Sequence, residues 1–375
     1  MQKSIALVGS QAFSLINFRG DLIVKLVSGG IKVYALAPDF SIETRNKIFD
    51  LGAMPIDCPM SRSGKNPILD IYNWFALAYL LFKLKPDVFF GFTIKPVIYG
   101  TLASWIARVP KRFCMIEGLG FVFTDYGVKP PFSREFLKRL VLILYRLSLS
   151  KAESVIFLNR DDIEDFLKKA VLPLKKIQYV NGIGVNVSEW KSYNAVKSPL
   201  TFLFAARLLR EKGIYEFIEA AQNIKNIDPD IRFIVLGDID LNPGSLTRDE
   251  LELWVNEGII EWPGHVDVKS WMEQSSVFVL PSFYREGVPR SIQEAMAMGL
   301  PIITTNSPGC KDTVVDGENG YLIEVRNTKQ LETAMLSFIS NPQLISSMGS
   351  ASRRIAVEKF DVEKINQRLI NIFGL

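Results

Sequence analysis

Hydrophobic positions along this chain fall into two alternating patterns. Short apolar, β-branched runs at Ser4–Gly9, Lys32–Ala37, Asp87–Gly91, Arg112–Met115 and Ser154–Leu158 read as strands, and longer segments with three-to-four-residue periodicity separate them. The rhythm resumes at Leu200–Ala205, Arg232–Leu236, Val277–Leu280, Pro301–Thr304 and Tyr321–Ile323. Near-continuous apolar strands joined by helical crossovers are the mark of parallel sheets covered on both faces. The pattern therefore predicts an α/β chain with two doubly wound parallel sheets in succession. Between them, residues 181–199 are rich in Asn, Gly, Ser and Lys without a period and read as a linker. The expected domains are 1–190 and 191–357. A break at Phe360-Asp361 precedes a last amphipathic helix within 358–375, which needs an apolar surface and is expected to return to the first domain.

Two helical segments of the first half carry more apolar surface than a crossover helix needs. Asp70–Leu84 holds Trp74, Phe75, Leu77, Tyr79, Leu80, Leu81 and Phe82; Ser133–Ser150 mixes Leu137, Leu140, Val141, Leu144 and Leu147 with Arg134, Lys138, Arg139 and Arg146. Neither reaches the roughly 18–20 uninterrupted apolar residues of a membrane span. The second has the make-up of an interfacial helix, or of a core helix with a solvated basic face. Charge favours the former: residues 1–190 hold 25 Lys and Arg against 16 Asp and Glu, and residues 191–375 hold 19 against 24, so a net charge of +4 divides into +9 and −5. The first half is expected to face an anionic membrane surface.

At 375 residues, with 48% hydrophobic and 22% charged positions, the chain is a folded globular one of about two domains. Cys58, Cys114 and Cys310 stand far apart, which offers neither a disulfide framework nor a zinc knuckle and fits a reducing cytoplasm. The single histidine, His265, excludes multi-imidazole metal sites. Nucleic acid ranks lowest among partners, because no groove-reading motif or stacking platform accompanies the basic residues. No secretory signal opens the chain, where Ile5–Gly9 reads as a strand.

Carboxylates and cations must then carry any chemistry. Glu286 and Glu294 flank a strand-to-helix turn, Phe283-Tyr284-Arg285-Glu286-Gly287-Val288-Pro289-Arg290-Ser291-Ile292-Gln293-Glu294, in which Pro289 suits the first helical turn. In doubly wound sheets ligands bind beyond the strand C-termini, and a helix N-terminus there favours an anion such as diphosphate. Arg207 and Lys212, in Ala206-Arg207-Leu208-Leu209-Arg210-Glu211-Lys212-Gly213 after another strand, are cations placed where a helix begins, so they point to an anion.

The two glutamates, separated by seven residues after Val279-Leu280-Pro281-Ser282, resemble the E-x7-E motif of retaining glycosyltransferases of family 4. The Arg207–Lys212 stretch resembles that family's diphosphate signature, Gly264-His265-Val266 its nucleobase-side loop, and Pro308-Gly309, Asp316-Gly317 and Asn319-Gly320 extend the likeness. In the first half, Asn17-Phe18-Arg19-Gly20, Phe92-Thr93-Ile94-Lys95-Pro96 and Gly118-Leu119-Gly120 resemble segments of enzymes that extend polyprenyl-diphosphate-linked glycans. The resemblance implies the GT-B architecture, two Rossmann-like domains facing a cleft, and retaining transfer of a hexose or N-acetylhexosamine from a UDP-sugar to a lipid-linked saccharide acceptor in bacterial surface-polysaccharide synthesis. It implies a donor site of Arg207, Lys212, His265, Glu286, Gly287, Val288, Pro289 and Glu294, with Glu294 on the ribose, Glu286 near the sugar and His265 near the base.

On the acceptor side the expected residues are Asn17, Arg19, Lys95, Gly118 and Gly120. Many family members carry a histidine in the first domain; this chain has none there, and Glu117 is the substitute candidate for orienting or deprotonating the acceptor hydroxyl. Arg207 and Lys212 take the leaving group's charge, so neither a metal nor another cofactor is required, and Asp238-Ile239-Asp240 reads as a loop rather than a metal site. Asp161-Asp162 reads as a helix cap. A nucleotide-sugar epimerase of the same architecture and a non-catalytic membrane scaffold are the competing readings. The expected location is the cytoplasmic face of the membrane, held peripherally.

Overall fold

The computed structural model describes residues 2–60, 67–191, 198–240, 244–264 and 266–375. It divides into two compact units: residues 2–122, 129–183 and 362–375 form the first, and residues 123–128 and 184–361 the second. The boundary thus falls at residue 183 rather than 190, and the C-terminal segment changes unit at 362 rather than 358. Val185 explains both shifts, since it bridges to Asp361 and its amide donates to the Phe360 carbonyl. Arg353 fastens the following residues by donating to the carbonyls of Val187 and Trp190.

The first unit holds seven parallel strands: β1 (Ser4–Val8), β2 (Lys32–Ala37), β3 (Met54–Asp57), β4 (Val88–Phe92), β5 (Lys111–Ile116), β6 (Ser154–Phe157) and β7 (Ile177–Tyr179), in the order β3-β2-β1-β4-β5-β6-β7. The order reverses between β1 and β4, which makes the crevice beyond their C-termini the expected ligand position. β1 and β4 are buried along their whole length, which is why the sequence shows them as continuous apolar runs. The helix Val362–Phe373 belongs to this unit, with the Phe373 ring 4.9 Å from Phe90 and 5.1 Å from Phe113. Its apolar stripe is what required a surface to cover.

Helices Pro67–Leu84 and Phe132–Leu149 cover this sheet only in part. The first leaves Tyr72, Phe75, Tyr79 and Phe82 more than half exposed, at three-to-four-residue spacing. The second leaves Phe132, Phe136, Ile143 and Leu147 more than half exposed. Among the described residues no helix is long and apolar enough to cross a membrane. In the helix Arg160–Lys168, the cap is Asn159, whose side chain accepts from the Asp162 amide; Asp161 and Asp162 lie inside the first turn, so the cap stands two positions upstream of the expected Asp161.

The second unit holds β8 (Thr201–Ala205), β9 (Arg232–Leu236), β10 (Glu261–Gly264), β11 (Val277–Leu280), β12 (Ile302–Thr305) and β13 (Gly320–Ile323), all parallel, in the order β10-β9-β8-β11-β12-β13. Its order reverses between β8 and β11. The loops that leave those two strands are the ones that carry Arg207, Lys212 and Glu286.

Candidate functional site

The first loop of the second unit runs from Ala206 into a 3-10 turn, Arg210–Lys212, and then into the helix Ile214–Lys225. Gly213 makes the junction with φ +80°, and a Cβ there would overlap the Pro281 carbonyl, so only glycine lets this turn close onto the neighbouring loop. The second loop leaves β11 at Pro281 and enters the helix Arg290–Ala297. Pro289 is the residue just before that helix, with φ −57° and ψ 123°, not within its first turn. Glu294 is the fifth helical residue and Glu286 lies in the loop.

These loops bring Lys212 and Glu286 together. The Lys212 ammonium donates to Glu286 Oε1, and both side chains are only 11% exposed. Ser282, fully buried, has its hydroxyl 3.0 Å from the same carboxylate oxygen. Arg207 pairs with Asp240 at 3.2 Å, so the Asp238–Asp240 segment is a loop that serves the cation. Tyr284 lies between the two cations, its ring 5.9 Å from the Arg207 guanidinium carbon and 5.2 Å from Lys212 Nζ, within reach of a cation–π attraction. Glu294 accepts from Arg290 Nε at 2.8 Å. Burial pushes the Glu294 carboxyl above its ordinary range and Arg290 works against that.

Further residues that the sequence did not single out hold the site's backbone. Gln293, fully buried, accepts from the Gly184 amide and donates to the Val288 carbonyl, which pins the turn ahead of the helix. The Glu211 carbonyl accepts from the amides of Phe283 and Tyr284, joining the two loops. Gly309 has φ +80° and no room for a Cβ against the Gly287 carbonyl. The signal for such residues is weak, because each acts through a partner tens of residues away. His265 lies outside the described residues, and Gly264 ends β10 beside it.

In the first unit the structure gathers Arg19 and Glu117. Arg19, in the middle of the helix Ala12–Ser28 and 1% exposed, donates to Glu117 at the end of β5 and lies 4.7 Å from the centre of the Phe92 ring. Burial raises the Glu117 carboxyl above its usual range, and the Arg19 charge and hydrogen bond oppose the rise. Gly118 and Gly120 have φ +102° and +69°, which glycine adopts freely, so the loop after Glu117 turns sharply. Thr93, at the end of β4, takes φ +66°, and its hydroxyl is buried without a hydrogen-bond partner among the described residues. Lys95 is part-buried just ahead of Pro96. Asn17 is not drawn into this group: it is exposed and its amide is spent on the Phe13 carbonyl of its own helix. Among the described residues no cluster of His, Cys, Asp and Glu has the make-up of a metal site.

Two family models match the chain. That of the glycosyl transferases group 1 covers residues 186–355, and that described as glycosyl transferase 4-like covers residues 8–159. The chain is 28% identical to the N,N'-diacetylbacillosaminyl-diphospho-undecaprenol alpha-1,3-N-acetylgalactosaminyltransferase of Campylobacter jejuni, over 96% of this chain and 95% of that protein. It is 25% identical to the UDP-Gal:alpha-D-GlcNAc-diphosphoundecaprenol alpha-1,3-galactosyltransferase of Escherichia coli, over 82% of this chain and 80% of that one. The crystal structure of Anabaena HepE in complex with UDP superposes with a TM-score of 0.79 at 16% identity, covering 100% of both chains, and shares the fold. With one model on each unit and the motif residues in the loops that the fold requires, the chain belongs to the GT-B glycosyltransferases of group 1, family 4-like.

Proposed function

We propose that the protein is a retaining, metal-independent glycosyltransferase that moves a hexose or N-acetylhexosamine from a UDP-sugar to a polyprenyl-diphosphate-linked saccharide. The observation that carries this reading is the Arg207 and Lys212 pair set on Tyr284 beside Glu286, with Glu294 the fifth residue of the helix that follows. The names of the Campylobacter jejuni and Escherichia coli relatives, both undecaprenyl-diphosphate-sugar transferases, support the acceptor class, and the second supports UDP as carrier.

The chemistry follows from charge. As the glycosidic carbon loses its diphosphate it becomes cationic and the leaving group gains negative charge, which Arg207 and Lys212 are placed to hold. Lys212 donates to Glu286, so donor binding exchanges a carboxylate for a phosphate oxygen on the ammonium. Glu286, released, accepts from a hydroxyl of the donor sugar. One carboxylate of Glu294 receives both ribose hydroxyls, since its two oxygens match a vicinal diol. With no carboxylate nucleophile assigned, retention runs by a front-face route in which a departing phosphate oxygen helps take the acceptor proton. Glu117, held by Arg19 and with its basicity raised by burial, orients the acceptor hydroxyl.

The same reading puts a lipid-anchored acceptor at a membrane surface. The exposed stripe Phe132, Phe136, Ile143 and Leu147, interleaved with Lys138 and Arg139, supplies apolar burial and a basic face. Each basic residue near an anionic surface contributes about 1 kcal/mol. The test is transfer from a panel of UDP-sugars to synthetic prenyl-diphosphate-linked saccharides, with the anomeric configuration of the product read by NMR. Transfer with retained configuration is expected. An inverted product removes the front-face route, and slow donor hydrolysis with no transfer to any acceptor removes the whole reading.

A further inference from the structure

Ser282 stands at the meeting point of the two donor-site loops and is fully buried. Its Oγ is 3.0 Å from Glu286 Oε1 and 3.2 Å from the Glu211 carbonyl, and it accepts from the Tyr284 amide at 3.2 Å. A hydroxyl has one hydrogen to give. Two acceptors therefore compete for it. The Glu211 carbonyl already receives the Phe283 amide hydrogen and shares that of Tyr284 with the serine, so it does not depend on the serine hydroxyl. Glu286 Oε1 also accepts from the Lys212 ammonium.

The position of the serine is itself fixed. Its carbonyl accepts from the Thr305 and Ser307 hydroxyls at the end of β12, and those two hydroxyls lie 2.8 Å apart. Thr305 and Ser307 are both buried. A polar network closed in this way resists reorientation, and its members act as a unit.

We propose that Ser282 is a positioning residue for Glu286, a hydrogen donor that keeps the carboxylate aimed at the donor sugar once the diphosphate draws Lys212 away. The Lys212 ammonium and the Ser282 hydroxyl both meet Glu286 Oε1, and the contact from the serine does not depend on where the ammonium goes. Without it, the carboxylate loses one of the contacts that aim it, and the sugar meets a less well placed acceptor. The diphosphate contacts, made by Arg207 and Lys212, do not pass through Ser282. The serine therefore acts on recognition of the sugar and on turnover while leaving the grip on UDP unchanged. This inference rests on the donor-site reading given above.

Ser282→Ala, Ser282→Cys and Ser282→Thr are compared with wild type by calorimetry with UDP and with the UDP-sugar that wild type turns over fastest, and by steady-state transfer. A lost hydrogen bond to a charged group corresponds to about a ten- to hundredfold effect. The alanine variant is expected to bind UDP within twofold of wild type, to lose its preference for the UDP-sugar over UDP, and to show kcat reduced by that factor. Threonine, which keeps the hydroxyl, restores both quantities. In a Glu286→Gln background the alanine change is expected to have little further effect, since both residues act through one contact. A purely structural serine would lower the Tm and the active fraction but leave the UDP-sugar to UDP preference and the turnover per folded molecule intact, and that result overturns the proposal. So does full additivity with Glu286→Gln. If the alanine variant does not fold, the cysteine variant, close in size and a weak donor, carries the same comparison. A wild type that binds neither UDP nor any UDP-sugar overturns the donor-site reading and this inference with it; a wild type that binds normally with an unchanged alanine variant overturns this inference alone.

Discussion

On the proposed reading Glu286 competes with the ligand for Lys212, so removing the carboxylate's charge is expected to tighten the binding of UDP while impairing transfer. The ammonium donates to Glu286 Oε1 with both side chains 11% exposed, so this is a largely desolvated, charge-assisted contact. Such a bond contributes about 1.5–3 kcal/mol, against about 1 kcal/mol for a bond to a neutral amide oxygen. Glu286→Gln therefore lowers the barrier to exchanging partners by about 1 kcal/mol, roughly a fivefold gain in UDP affinity. The UDP-sugar is expected to gain less, because its sugar hydroxyl loses a charged acceptor. Transfer falls by about a hundredfold or more, as for loss of a single transition-state contact. Titration calorimetry with UDP and with UDP-sugar, beside steady-state rates, separates the two effects. UDP affinity that is unchanged or weaker in Glu286→Gln refutes the exchange of partners at Lys212.

Lys212→Ala takes a closely paired charge from the buried Glu286 carboxylate, so stability falls by about 3 kcal/mol and the double variant Lys212→Ala/Glu286→Ala recovers most of it, as chemical denaturation will show. Glu294 must be ionised to accept both ribose hydroxyls, and burial, opposed by Arg290, raises its pKa; UDP affinity is therefore expected to fall on acidification already above the ordinary carboxylate range, and Glu294→Gln to bind weakly at every pH. The same shift means that the group favours the folded state below the unfolded pKa and that this contribution is lost as pH rises through the folded one. Burial pushes the thiols of Cys58, Cys114 and Cys310 up to about 12, so alkylation of the native protein at neutral pH should be slow and become complete only in denaturant. Flotation with anionic vesicles should be lost in Phe136→Glu/Ile143→Glu while solution turnover of a short-chain acceptor persists; unchanged flotation counts against the membrane face.

The inner strands were legible in the sequence because parallel strands buried on both faces leave continuous apolar runs, as at β1, β4, β8 and β11. β3, β7 and β10 gave no such signal. All three lie at sheet edges, are only partly buried, and two of them contain proline, Pro55 and Pro263. At the site, Glu286 and Glu294 were legible because a strand, a loop and a helix start fix them locally. What was not legible is who holds them. Asp240, Ser282 and Arg290 reach their partners through side-chain geometry, and Arg19 meets Glu117 across 98 residues of sequence. Asn17 shows the converse, a residue prominent in its motif whose side chain turns back on its own helix.

The central claim is that Arg207 and Lys212 grip the diphosphate of a nucleotide sugar between the loops leaving β8 and β11. A crystal structure of the protein with UDP at saturating concentration tests it most directly. Diphosphate oxygens are expected within hydrogen-bond distance of both cations, with the ribose hydroxyls on Glu294 and Lys212 parted from Glu286. UDP bound elsewhere, or bound here with the Lys212–Glu286 contact intact, contradicts it.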